Sequence, residues 1–292
     1  TKSSTYGEQV GNSDFELWDN ESNKSAEPQN WNGFMTAGGQ YAGTAAAQCM
    51  NSTTDVRPGA VAGSKGVYLY SYKAAGIAEA NGNLTVGKIN AGAMSAKDQA
   101  NHNATIPNNE AFSETMTSRP DSITAWVKLM TNDVNARISA IIHDDFSFED
   151  PSREEDMKHV VGEAKLNYAR VNDKSGNATW QRLSVPFDYA TYASLKLDPK
   201  YILITFTTNA TPGGAAAQVY VDDMALIYKP TLSIADLTKK QYVGGDVISL
   251  DYSIEGSMSV YNINAEANVV RLELSDANGS FANPTILTSM KT

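Results

Sequence analysis

Ser122-Ile123-Thr124-Ala125-Trp126-Val127-Lys128-Leu129 changes character at every step. Successive side chains of an extended chain point to opposite faces. Ile123, Ala125, Val127 and Leu129 therefore share an apolar face, with Trp126 and Lys128 on the other. Ala136 to His143 repeats the pattern, with Ile138, Ala140 and Ile142 on one side and Arg137, Ser139, Ile141 and His143 on the other. Val67 to Tyr72 sets Tyr68, Tyr70 and Tyr72 on a common face. Trp180 to Val185, Tyr201 to Thr207 and Gln218 to Tyr228 read as further strands. Clusters of Gly, Asn, Asp, Pro and Thr separate them, as at 172–177 and 208–215. Helical signals are scarce. Residues 88–101 are Ala-rich but interrupted by breakers and read as loop or strand. Residues 151–159 suit one helical turn after Pro151, with Arg153, Glu154 and Glu155 in solvent. Many strands without intervening helices predict an all-β sandwich.

At 292 residues, of which 41% are hydrophobic and 19% charged, the chain is globular and long enough for one large domain or two ordinary ones. A net charge of -10 disfavours nucleic acid and anionic membranes, because both require clustered Lys and Arg. A lone cysteine, Cys49, excludes an internal disulfide and reads as a small buried side chain. No apolar run is long enough to span a bilayer. Starting at Thr1, the chain reads as processed or as the inside of a longer one, with any signal or lipid anchor upstream.

A boundary is expected at Lys229-Pro230, since Pro interrupts sheet pairing. The first domain then covers 10–229 and a second module 231–292. The second offers Leu232–Ala235, Val247–Tyr252 and Val269–Leu274 as strands, fewer than the seven of an immunoglobulin-type sandwich.

Three stretches taken together carry a family likeness. They are Gly11-Asn12-Ser13-Asp14-Phe15-Glu16-Leu17-Trp18 followed by Pro28-Gln29-Asn30-Trp31, then Arg119 to Lys128, then Val219-Tyr220-Val221-Asp222-Asp223-Met224-Ala225-Leu226. Val161 to Ala164 and Trp180 to Pro186 lie between the last two. This order resembles a family of carbohydrate-metabolism domains, surface proteins of polysaccharide-degrading gut bacteria. The resemblance implies a jelly roll similar to carbohydrate-binding modules over roughly 10–229. It also implies a cell-surface or periplasmic location and other outer-membrane glycan-uptake proteins as partners. Leu272 to Phe281 (LELSDANGSF) is similar to a strand and turn of secreted bacterial immunoglobulin-like repeats.

Three groups of residues could carry chemistry. First, in carbohydrate-binding modules with a similar pattern, acids on the first and last strands bind calcium. Here those would be Asp14, Glu16, Asp222 and Asp223, although alternation sends Asp222 and Asp223 to opposite faces. Such an ion wants about 6–8 oxygens. The plain alternative is strand-end capping or pairing with Lys and Arg. Second, Tyr68, Tyr70 and Tyr72, Trp126 with Lys128, and Trp180 with Arg182 could form an aromatic platform for sugar rings, whose C–H faces stack on flat apolar surfaces. The alternative is core packing, which suits Trp126 best and leaves Trp31, Tyr70 and Trp180 open. Third, His143 to Asp150 is rich in acids. Adjacent loop carboxylates rarely meet the spacing glycoside hydrolysis needs, so a solvated acidic loop is expected. His102, His143 and His159 lack metal-motif spacing. Asp121-Ser122-Ile123 resembles a bacterial O-glycosylation acceptor, and Asn83, Asn177 and Asn209 sit in Asn-x-Ser/Thr triplets that equally mark turns.

The expected function is non-catalytic binding of a polysaccharide. A glycoside hydrolase or lyase and a structural adhesin or spacer are the alternatives.

Overall fold

A computed structural model describes the chain apart from residues 1–6, 22–25, 46–48, 75, 77, 230, 238, 240, 244, 256–268 and 292. It falls into two compact units, Thr1–Tyr228 and Lys229–Thr292. Helix among the described residues is limited to single turns, at Ala42–Ala45, Phe34–Thr36, Asp156–His159 and Ala193–Leu195.

Among the described residues of the first unit, thirteen strands beside the short pairs at 18–19 with 27–28 and 72–74 with 78–80 frame the core. They are β1 (Met50–Thr53), β2 (Gly66–Tyr70), β3 (Asn83–Thr85), β4 (Lys88–Ala91), β5 (Asn101–Ala104), β6 (Glu114–Thr115), β7 (Ser122–Leu129), β8 (Asn135–His143), β9 (Glu149–Asp150), β10 (Val160–Ala169), β11 (Gln181–Pro186), β12 (Tyr201–Thr207) and β13 (Gln218–Ile227). One sheet runs β6-β12-β8-β10, with β3 pairing the same edge of β12 as β6 does, further along it. The other runs β11-β7-β13-β2-β1. Every pairing in both is antiparallel. The inner faces pack on each other as a jelly-roll β-sandwich.

The alternation read from the sequence accounts for this core. Ile123, Ala125, Val127 and Leu129 of β7 have no exposed surface, and they meet Ile138, Ala140 and Ile142 of β8 and Ile202, Ile204 and Phe206 of β12 in one cluster. Burying one such side chain stabilises by about 1.5–3 kcal/mol. Trp31 is also core, between Phe15 and Phe206 at ring-centroid distances of 5.1 and 6.1 Å.

Two expectations are corrected and one strand is added to those read from the sequence. The opening segment carrying Asp14 and Glu16 is not a strand: it is a turn with Asn12 and Phe15 at positive φ. It still lies beside β13. The Ser13 carbonyl accepts from Met224 N–H at 2.9 Å, and the Gln9 amide brackets the Leu226 backbone with two 2.8 Å bonds. Second, the run 143–150 is not a solvated loop. His143, Phe148 and Asp150 are buried because the loop folds back over the outer face of β8. Ile141, Leu203, Phe148 and Val160 make a second small core there. The added strand is β10, ten residues that their sequence does not announce. Its exposed stretch Lys165-Leu166-Asn167 breaks the alternation.

Gly87 shows how tightly the layers sit. A Cβ there would lie 2.5 Å from Leu203 Cδ1 and 2.6 Å from the Ala104 carbonyl oxygen.

In the second unit, β14 (Thr231–Ile234) pairs β15 (Tyr252–Glu255), and β16 (Val269–Leu274) pairs β17 (Thr285–Lys291). Residues 247–251 are not extended ladder, contrary to the strand expected at Val247–Tyr252. The turn after β16 is set by Asp276, whose carboxylate accepts from Asn278 and Ser280 N–H, with Gly279 at φ 78°.

Candidate functional site: an aromatic row on one sheet

The outer face of the β11-β7-β13-β2-β1 sheet gathers residues that are far apart in sequence. Register places Tyr68 of β2 opposite Tyr220 of β13, and Tyr220 opposite Lys128 of β7. Trp180, just before β11, continues the row past Lys128. Tyr70 stands on the same face, one pleat along from Tyr68. Ring centroids lie 5.2 Å apart for Tyr70 and Tyr68, 4.9 Å for Tyr68 and Tyr220, and 6.3 Å for Tyr220 and Trp180. The Tyr68–Tyr220 spacing follows from the strand separation of about 4.8 Å, whereas Tyr70 lies on the same strand as Tyr68 and Trp180 lies across β7 from Tyr220.

Lys128 ties the row together. Its ammonium lies 4.4 Å from the Tyr220 ring centroid and 5.3 Å from that of Trp180, and it pairs with the Asp55 carboxylate. Trp180 Nε1–H donates to the other Asp55 oxygen at 3.3 Å. A cation held over aromatic faces contributes about 0.5–2 kcal/mol. Here it also fixes the rings before any ligand arrives. The Lys128 side chain is only 10% exposed, whereas the rings are half-buried and open on one side. Burial pushes the Tyr68, Tyr70 and Tyr220 hydroxyls up, which keeps them neutral donors.

Most of the residues expected in a platform are therefore together. Trp126 stands on this outer face, half-buried, opposite Arg182 on one side and Asp222 on the other; it is not inter-sheet packing. Tyr72 departs. The sheet strand ends at Tyr70, Tyr72 opens a separate hairpin (72–74 with 78–80), and its ring meets Phe34 edge-on at 5.3 Å against the core. Tyr220 and Asp55 are members the sequence reading missed. Alternation along Val219-Tyr220-Val221 could have found Tyr220. Nothing local marks Asp55, which arrives on the loop between β1 and β2.

The expected calcium residues do not fit a cation cage. Opposite Ala125, β13 carries both Asp223 and Met224. This bulge, with Asp223 at φ 41°, turns Met224 and Leu226 into the core and replaces simple alternation. Arg57 takes both neighbouring acids: its backbone N–H donates to Asp222 at 2.8 Å and its guanidinium pairs with Asp223. Glu16 accepts from Lys65 N–H at 3.1 Å. Asp14 lies in the opening turn. Among the described residues no group of three or more His, Cys, Asp or Glu side chains is arranged to hold a metal ion. Calcium at a hundred times its Kd would add about 2.7 kcal/mol to stability. The expected result is one Tm, the same in calcium and in chelator; a calcium-dependent rise would restore the site.

The acids of 143–150 are spent in local pairs: Asp144 with His159, Asp145 with Lys200, Glu149 with Arg153 and Asp150 with Arg137. They lie on the opposite sheet from the ring row. Burial pushes the Cys49 thiol up to about 11, so it is no nucleophile.

Fold and face together define an all-β jelly-roll sandwich with an aromatic outer surface. No protein-family model matches the chain. No curated protein matches it either. One of the solved structures it aligns with shares the fold. A "putative glycoside hydrolase" from Bacteroides thetaiotaomicron aligns at a TM-score of 0.52 and 17% identity, over 74% of this chain and 70% of that one. A carbohydrate-binding module specific for non-crystalline cellulose aligns at a TM-score of 0.35 and 11% identity, over 76% of this chain and 96% of that one.

Proposed function

We propose that the chain is a carbohydrate-binding protein that holds a polysaccharide along the ring row and does not cleave it. The observation that carries this reading is the continuous line Tyr70, Tyr68, Tyr220, Trp180, braced by Lys128 and open on one side. Sugar rings offer an apolar face and a polar rim. The row offers flat apolar surface, with Asp55 and the exposed Gln218 beside it to take hydroxyls. A net charge of -10 suits a neutral glycan better than an anionic one. The family likeness of residues 10–229 adds a cell-surface or periplasmic setting, anchored upstream, among outer-membrane glycan-uptake proteins. The separate likeness of Leu272 to Phe281 adds a partial immunoglobulin-like module at 231–292.

Removing one stacked ring should cost about 1.5–3 kcal/mol of binding, or roughly 10–100-fold in Kd. Tyr220→Ala and Trp180→Ala should each show that loss on a glycan array followed by titration. Their folding stability should fall by only about 1–2 kcal/mol, because both rings are half-buried. Unchanged affinity in both variants would return these rings to a packing role. A reducing-sugar assay on any bound glycan should show no turnover; release of new reducing ends would favour a hydrolase or lyase.

A further inference from the structure

The outer face of the other sheet holds a cleft of about 290 Å³, near the lower limit of roughly 300 Å³ for small-molecule sites. Its floor is the part of β8 and β12 that the 144–160 loop leaves uncovered. Arg137, Thr207 and Asn83 stand in one cross-strand row there, with Thr205 in the next. Seven of the lining residues are alanines, which is why space remains. Phe34, Ile89 and Met94 complete an apolar wall.

The wall is built before any ligand arrives. Asn101 pins the 92–95 loop: its Oδ1 accepts from Gly92 and Ala93 N–H at 3.0 and 3.1 Å, and its Nδ2 donates to the Ala93 and Ser95 carbonyls. The floor is also ordered. Asn83 and Asn103 exchange amide bonds at 2.9 and 3.2 Å, and Asn103 donates on to Thr205.

Two polar side chains of this cleft keep hydrogen-bonding capacity that no described residue uses. Arg137 meets Asp150 through Nη2 alone, at 2.8 and 3.0 Å. A guanidinium carries five N–H donors, so Nε and Nη1 have hydrogen bonds left to give. The Asn81 side-chain oxygen is buried with no hydrogen-bond partner, while its Nδ2 is used twice. The Arg137 guanidinium, with its side chain 21% exposed, can donate to a ligand hydroxyl, whereas the buried Asn81 oxygen is closed to one. Asp150, 3% exposed, already cancels the Arg137 charge, so an ionic ligand gains nothing there. The complementary molecule is neutral, the size of one ring, hydroxylated at one edge and apolar on its faces.

We propose that this cleft is a second, separate site that takes a single neutral sugar ring. It faces away from the aromatic row, on the opposite side of the sandwich, and does not depend on what that row binds. The row suits an extended chain laid on a surface; the cleft encloses one unit.

The test is a methionine-methyl NMR titration of the full chain, with Met94 at the cleft as reporter. The probes are glucose, galactose, mannose, xylose and N-acetylglucosamine, each to about 100 mM, well above the millimolar Kd expected of one ring. At least one sugar should shift the Met94 methyl saturably. Ala210→Leu and Ala80→Leu, which fill the cleft from two different segments, should abolish the shift. Tyr220→Ala should leave it intact. No saturable shift with any of the five sugars overturns the proposal, as does a shift that survives both filled variants.

Discussion

Phe206→Ala is expected to remove about 3–5 kcal/mol of folding stability and roughly 10 °C of Tm. Phe206 has no exposed surface and lies at the centre of the inter-sheet core. Its ring packs on Trp31, and Trp31 on Phe15. Trp31 also donates its indole N–H to the Gly11 carbonyl at 3.1 Å. The cavity left by alanine would therefore loosen both the two sheets and the opening turn that runs beside β13. Urea unfolding followed by tryptophan fluorescence measures the loss. A decrease below about 1 kcal/mol would mean that the sheets collapse freely onto the gap, against the close packing described here.

The second large effect is on acid stability, where two buried groups act in opposite directions. His143 has no exposed surface. It bonds Thr105 through Nε2 at 2.9 Å and the Asp144 carbonyl through Nδ1 at 2.8 Å, and it stacks on Phe148. Burial holds it down near 4, against 6.5 in an unfolded chain. Below pH 6.5 the unfolded state takes up the proton first. Stability is therefore lost as pH falls from about 6.5 to about 4, by about 3 kcal/mol in all.

Asp222 is 2% exposed, and burial raises it from 3.8 to about 6 despite the Arg57 N–H and charge beside it. There the folded state takes the proton first. Stability is gained as pH falls from about 6 to about 3.8, again by about 3 kcal/mol. The two nearly cancel in the native chain. Asp222→Asn should be the more stable protein at pH 7, lose that advantage by pH 4, and show the acid sensitivity of His143 alone. His143→Gln, which keeps hydrogen-bonding capacity, should instead gain stability on acidification. Unfolding free energies at pH 7, 5.5 and 4 decide the matter: profiles parallel to that of the native chain in both variants would refute it.

How far the sequence could be read depends on where each residue's partner lies. Strand β7 was legible in its bounds and its inner face, because its alternation is complete; only the burial of Trp126 was misjudged. Tyr68, Tyr70, Lys128 and Trp180 were legible as one-face residues, but each only on its own strand. That they form a single row depends on register between β2, β13, β7 and β11, and no local pattern contains register. Tyr72 was misplaced because the strand ends two residues before it, at Tyr70. Asp222 and Asp223 were misread because the bulge inserts a residue where strict alternation was assumed. The acidic stretch after β8 looked like a surface loop; its burial comes from folding back onto Ile141 and Leu203, which strand periodicity assigns to a solvent-facing side.

By itself the sequence determined the class of fold and the composition of the inner faces. A period of two and an apolar set on one side of each strand allow little besides two stacked sheets. The tertiary structure alone decided which outer residues became neighbours. It set the rings of two strands, and Trp180 just before a third, in a row beside one lysine, brought Arg57 to the aspartates, and left an alanine-lined cleft open over the other sheet. Apolar burial is read residue by residue, whereas a binding surface depends on distances between segments that only pairing, bulges and loop closure fix.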